Sequence, residues 1–302
     1  MRIENQRPSD NFQDRGSGRG GGGVGAMALF GLFRLLGFRG LLIAIVVLGA
    51  VYLFNPFGLR DAIFGTVAGN LPGQSQSAGT STCAGSPTNQ QACDFSRRVL
   101  GSTETVWAQQ FRDRRLPNYG AQIGAYQDPT LVVYSNSVET GCGAATSAVG
   151  PFYCPNDGNL YIDPSFYQMM TQRLQAPGDF AQAYVIAHEV GHHVQKLIGA
   201  MDRPIPGESQ NQTSVRTELQ ADCFAGVWGH TARASLAIDD ADLREALTAA
   251  HQIGDDTLSR GGDPREYTHG TSDQRMRWFR RGFDSGDARQ CDTWGVANYD
   301  QL

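Results

Sequence analysis

Residues 179–199 read DFAQAYVIAHEVGHHVQKLIG, and their spacing predicts one helix that decides how the rest of the chain is organised. Asp179 can cap the first turn, Gln182 three residues later completes a capping-box pattern, and Gly199 suits the left-handed residue after a helix end. His188 and His192 are four residues apart, so one helical turn places both imidazoles on the same face, at the spacing that grips one tetrahedral metal. Glu189 points about 100° around the axis, toward a water on that metal. This is the H-E-x-x-H zinc hydrolase signature. A catalytic zinc takes three protein ligands and keeps an open position, so a neighbouring element is expected to supply the third.

The element that answers this runs from about Thr213 to Arg233 through SVRTELQADCFAGVWGH. Glu218 and Asp222 are four residues apart on one face, and Leu219, Ala221, Phe224, Ala225, Val227 and Trp228 mark the helix as buried. A buried carboxylate without a partner is costly, so a metal or a histidine is the expected companion. Glu218 is the expected third ligand, and Asp222 the carboxylate that orients a ligating histidine. The other candidates fit less well. His193 points off the ligand face, His230 lies about 18 Å along the axis from Glu218, Cys223 sits about 140° around from it, and His251 suits a helix C-terminus. His269 is in a loop, ahead of a helix capped by Thr271 or Ser272, and is the candidate donor to a developing oxyanion.

The chain has 302 residues, 18% of them charged, and a net charge of −5. That balance, with no basic stripe of interleaved aromatics, argues against a nucleic-acid partner. Residues 1–34 begin with a polar, Gly- and Arg-rich stretch that predicts a disordered N-terminus. Residues 40–54, GLLIAIVVLGAVYLF, are uninterrupted apolar sequence, and a membrane helix is expected over 35–59. Arg2, Arg7, Arg15, Arg19, Arg34 and Arg39 precede the run, which by the positive-inside rule puts the N-terminus in the cytoplasm and the remainder outside as a single-pass protein. A flexible linker is expected over 60–92, rich in Gly, Ser, Gln and Pro, and the folded domain over 93–302.

Within that domain a helix is expected from Asp94 to about Arg114, a strand at 131–134, and a hairpin from 149–153 and 160–163 across Pro155, Asn156, Asp157 and Gly158. The second arm of the hairpin is the candidate edge strand beside a substrate backbone. The six cysteines fit a disulfide-permissive compartment, and none forms a C-x-x-C pair. Of the 15 possible connectivities, the expected one joins Cys142 to Cys154, Cys223 to Cys291 and Cys83 to Cys93.

AYVIAHEVGHHVQ (183–195), ELQADCFAGVW (218–228), GPFYCPNDGNLYIDPSF (150–166), IGDD (253–256), THGTSDQR (268–275) and the N-terminal RPSDNFQDRG (7–16) together resemble the putative neutral zinc metallopeptidase family of bacterial, membrane-anchored proteins. The Glu-x-x-x-Asp pattern also resembles the gluzincin arrangement of thermolysin-like enzymes, which implies that Glu218 binds zinc and Asp222 braces a ligating histidine. The combined expectation is an α+β, zincin-like metalloendopeptidase domain in the bacterial envelope, tied to the membrane by its N-terminal helix. Zn2+ held by His188, His192 and Glu218 would act on a peptide or protein substrate, with Glu189 as general base. The alternatives are a non-catalytic, zinc-stabilised interaction module and a zinc hydrolase of a non-peptide bond. An intact Glu189 argues against the first, because a purely structural site needs no base.

Overall fold

The computed structural model describes residues 1–17, 83, 90–120, 122–201, 203–259 and 262–302. The residues expected to cross a membrane (35–59) lie outside them, as does most of the expected linker. Among the described residues no helix is long and apolar enough to cross a membrane.

The α+β architecture pairs a small mixed sheet with a set of helices. Strands β1 (Phe12–Ser17), β2 (Thr130–Ser135), β5 (Phe152–Cys154) and β6 (Asn159–Ile162) form a four-stranded sheet in the order β1-β2-β6-β5. β1 and β6 both run parallel to β2, while β5 is antiparallel to β6. β3 (Ser137–Thr140) and β4 (Gly143–Thr146) make a separate hairpin. Central β2 reads TLVVYS, and its two faces bury alternate residues. Leu131 and Val133 enter the main core, whereas Val132 and Tyr134 pack with Val138, Cys154 and Tyr161 on the other side. The hairpin expectation holds for β5 and β6 with a correction: the first arm, β5, lies at the sheet edge, and the second arm, β6, is interior. β6 is covered on both sides because β2 supplies a further parallel partner.

The helices are α1 (Gln90–Arg112), α2 (Ser165–Gln172), α3 (Asp179–Ile198), α4 (Gln210–Ala232), α5 (Asp240–Gln252), α6 (Asp255–Leu258) and α7 (Ser272–Ser285). α3 is the helix read from the metal motif, and Gly199 ends it at φ +70°. Its start differs from expectation. The N-cap is Gly178; Asp179 lies one residue inside and faces the Met1 amino group. The Phe180 N–H is instead satisfied by Glu245 of α5 at 3.1 Å, so a neighbouring helix supplies what the local capping pattern does not. α4 starts with a complete capping box between Ser209 and Gln212, and α7 with one between Thr271 and Gln274. Gly191 of α3 sits so near α4 that a Cβ there would lie 3.0 Å from the Ala221 Cα. That close approach sets the two helices at the distance the site requires.

All three expected disulfides are present: Cys83–Cys93, Cys142–Cys154 and Cys223–Cys291. Cys142 lies in the β3–β4 turn and fastens that hairpin to β5, while Cys223–Cys291 secures the C-terminal segment against α4. Cys83 is bonded to α1 and buried, so folded structure begins before the expected boundary at residue 93.

The largest correction concerns the N-terminus. Residues 1–17 are not a disordered arm: they lie along α1 and complete the sheet. Ile3, Ser9 and Phe12 are buried. Arg7 pairs with Glu104 at 2.8 Å, Ser9 N–H donates to the Arg97 carbonyl at 3.0 Å, and the Arg97 guanidinium stacks over the Phe12 ring at 4.8 Å. A polar sequence hides this order because backbone ladders, ion pairs and the buried side chains of Ile3 and Phe12 stabilise it, not an apolar stripe. β1 pairs with β2 from Phe12 opposite Leu131 to Ser17 opposite Ser135, so residues 12–17 belong to the same sheet as the rest of the domain.

Candidate metal centre

α3 contributes His188, Glu189 and His192, and α4 contributes Glu218 and Asp222. His188 Nε2 lies 3.1 Å from one Glu218 oxygen and His192 Nε2 lies 3.4 Å from the other. One ligand atom from each of the three residues falls within 4.8 Å of the other two. The outer nitrogens are engaged by acceptors: His188 Nδ1 meets Asp222 Oδ1 at 2.8 Å, and His192 Nδ1 meets Gln195 Oε1 at 2.8 Å. The Gln195 amide is oriented in turn, since its Nε2 donates to the Thr217 carbonyl at 2.6 Å. Both Nδ1 atoms are therefore assigned as N–H donors, which leaves two Nε2 lone pairs facing a carboxylate. Three acceptors that converge without a proton of their own fit a cation, and an N2O set with room for a fourth ligand is the donor chemistry of a catalytic zinc site.

Asp222 is the electrostatic hub. Its fully buried carboxylate accepts from His188, from Tyr184 Oη at 2.5 Å, and from Arg275 Nε and Nη2 at 2.8 and 2.9 Å. Burial alone would raise its pKa, but Arg275 and then His188 outweigh burial and hold it below the usual carboxylate value. Burial favours the neutral form of both histidines. With only protein charges acting, Asp222 and Glu218 overcome burial at His188 and push it to about 10, whereas at His192 burial wins and the pKa falls. Glu218 is depressed against the effect of its own burial, chiefly by His192 and His188. Glu189 is raised to about 7 by burial, with Glu218 acting in the same direction and His188 and the Tyr153 backbone N–H opposing.

These groups open into a cleft of about 530 Å³, bounded by the approach to β5 on one side and by Ile253, Leu258 and His269 on another. Among the lining residues are His188, Glu189, His192, Glu218 and His269, so the structure brings the metal set, the base candidate and the oxyanion candidate to one cavity. His269 is held by Asp255. Its Nδ1 lies 3.2 Å from Asp255 Oδ1, and the backbone N–H groups of Thr268, His269 and Gly270 all donate to Oδ2, at 2.7, 2.6 and 3.0 Å. The Asp255 hydrogen bond raises the His269 pKa, against the effect of burial.

Sequence reasoning missed Arg275, Asp255, Tyr184 and Gln195. Arg275 stands among other charged residues in SDQRMRWFRRGFDS, so nothing in the sequence singles it out as the buried one, and its partner is 53 residues away. Gln195 was open to local reading, because it lies three residues after His192 on the same helix. The rejected candidates stand apart as expected. His193 bonds to Tyr153 Oη and to the Gln127 carbonyl, His230 bonds to the Phe283 carbonyl, and Cys223 is in a disulfide.

A family model described as "Putative neutral zinc metallopeptidase" matches residues 1–294. The uncharacterized protein YpfJ of Escherichia coli (strain K12) is 46% identical over 307 aligned residues, covering 98% of this chain and 99% of the relative. The uncharacterized protein Rv2575 of Mycobacterium tuberculosis (strain ATCC 25618 / H37Rv) is 41% identical over 192 residues, covering 58% of this chain and 66% of the relative. No solved structure matches the chain.

Proposed function

We propose, for a chain that belongs to the putative neutral zinc metallopeptidase family, that it is an endopeptidase built on a zincin-like catalytic unit. Zn2+ is the metal this family implies. The observation that carries the reading is the convergence of His188 Nε2, His192 Nε2 and the Glu218 carboxylate in the cleft that also presents Glu189. Zinc bound there supplies Lewis acidity toward the scissile carbonyl and the attacking water.

The protein groups do the rest. Glu189, whose carboxyl burial pushes above the ordinary value, takes a proton from the attacking water and returns it to the leaving amine, as a positioned general base and acid does. His269, fixed by Asp255, donates to the oxyanion as negative charge develops on the carbonyl oxygen. Asp222 and Gln195 hold the two imidazole rings in the tautomer that faces inward. β5, at the sheet edge, offers backbone groups to an extended substrate.

The apolar run at 40–54 supports attachment to a membrane, and three disulfides support an extracytoplasmic domain. The N-terminal arm lies on the same side as that domain in this account. Incubating the purified chain with end-blocked peptides tests the proposal. Internal cleavage, abolished by a chelator and restored by one equivalent of Zn2+, is expected; cleavage indifferent to the chelator would refute zinc catalysis.

A further inference from the structure

Among the described residues, the exposed large hydrophobic side chains are Val149 at 60% and Leu258 at 54%. A single exposed apolar residue is ordinary. Here both line the same cleft and come from unconnected segments: Val149 ends the turn before β5, and Leu258 ends α6. Half-buried Phe152, Phe166 and Met201 continue the apolar lining between them. Among the described residues the other large apolar side chains are buried or partly buried, and two left exposed in one cleft mark a surface made to be covered.

The charges on the cleft point the same way. The strongly basic side chain in the lining is Arg275, and its guanidinium is committed to Asp222. Glu218 faces the two histidines and Glu189 the reaction centre. Among the described residues, no lysine and no Asp lines the cleft. Among the described lining residues, the cations that a substrate's terminal carboxylate could meet are Arg275, held by Asp222, and His269, held by Asp255, and a terminal amine would meet no carboxylate beyond the two the chemistry uses. A charged side chain beside the scissile bond would lose its hydration without gaining a partner.

From these observations, and resting on the hydrolytic reading above, we infer that the cleft selects the interior of extended polypeptide segments that carry bulky apolar residues beside the scissile bond, with Val149 and Leu258 as determinants of that preference. Apolar segments of this kind are accessible in unfolded chains and buried in folded ones, so unfolded or misfolded polypeptide is the substrate class.

The test uses the full zinc-loaded chain and fluorogenic peptides blocked at both ends, varied at the two residues that flank the cleaved bond. Leu, Phe or Met in those positions is expected to raise kcat/KM by about 10- to 200-fold over Gly, Asp or Lys, the range one apolar pocket supplies. Leu258→Asp and Val149→Asp, both at exposed positions, should each collapse that ratio at one flanking position and improve relative cleavage of a Lys-containing peptide there. Flat preference in the wild type, a requirement for a free terminus, or unchanged preference in both variants would overturn the inference while leaving hydrolysis intact. Failure of the zinc-loaded wild type to cut any peptide would overturn the hydrolytic reading, and the inference with it.

Discussion

Arg275 grips Asp222 with two guanidinium nitrogens, Nε at 2.8 Å from Oδ2 and Nη2 at 2.9 Å from Oδ1, and both side chains are buried. Removing one partner of a buried pair strands the other charge, so Arg275→Met is expected to cost about 3–5 kcal/mol of stability. Arg275→Lys should lie between, since it keeps the charge but loses the fork geometry. Urea denaturation measures both; an Arg275→Met variant as stable as wild type would mean that Asp222 is not ionised in the folded chain.

Glu218 and Asp222 share a helix face but make different contacts, and zinc titration separates them. Glu218→Ala should lose stoichiometric tight binding, because two histidines under-coordinate the ion. Asp222→Asn should keep one zinc with affinity lower by about 10- to 100-fold, the usual effect of losing the group that fixes a ligand's tautomer. A tight site in Glu218→Ala, with none in a folded Asp222→Asn, would reverse the assignment.

The parts of this site that were legible in the sequence are those in which helical periodicity alone sets the geometry. His188 and His192, and again Glu218 and Asp222, share faces because they are four residues apart. Which face meets which follows from tertiary contacts such as Gly191 against Ala221, which no single segment encodes. Arg275 and Asp255 escaped notice because each acts on a residue far along the chain or through backbone N–H groups. The strand at 12–17 was hidden by its polar composition, and the place of β5 at the edge depends on β2 pairing with β6.

The Asp255–His269 contact sets an alkaline limit. The folded pKa of His269 lies above 6.5 because Asp255 favours the imidazolium, so its contribution is complete below 6.5 and is lost as pH rises through the raised value. If the imidazolium is the oxyanion donor, kcat/KM falls on that limb. Asp255→Asn removes the stabilising charge and should move the limb to lower pH, while His269→Gln should abolish it along with most of the activity. A limb that both substitutions leave in place would belong to another group.

Pairing of β1 with β2 joins residues 12–17 to the sheet of the domain, and from it we propose that the arm and the domain lie in one compartment. Single cysteines introduced at the exposed positions Asn5 and Gln301 should therefore react with an impermeant thiol reagent from the same face of sealed vesicles. Labelling from opposite faces would contradict the pairing. Phe12→Ala should destabilise the domain by about 3–5 kcal/mol, the cost of emptying a buried phenylalanine site.

The measurement that bears most directly on the central claim compares wild type with Glu189→Gln, each carrying one equivalent of Zn2+, on the same internally cleaved peptide. The substitution preserves size and leaves His188, His192 and Glu218 in place, so zinc content and thermal stability should match wild type. Turnover should fall by at least about 10² to 10⁴, the contribution of one positioned general base. Hydrolysis by a zinc-replete, folded Glu189→Gln variant at near the wild-type rate would contradict the account.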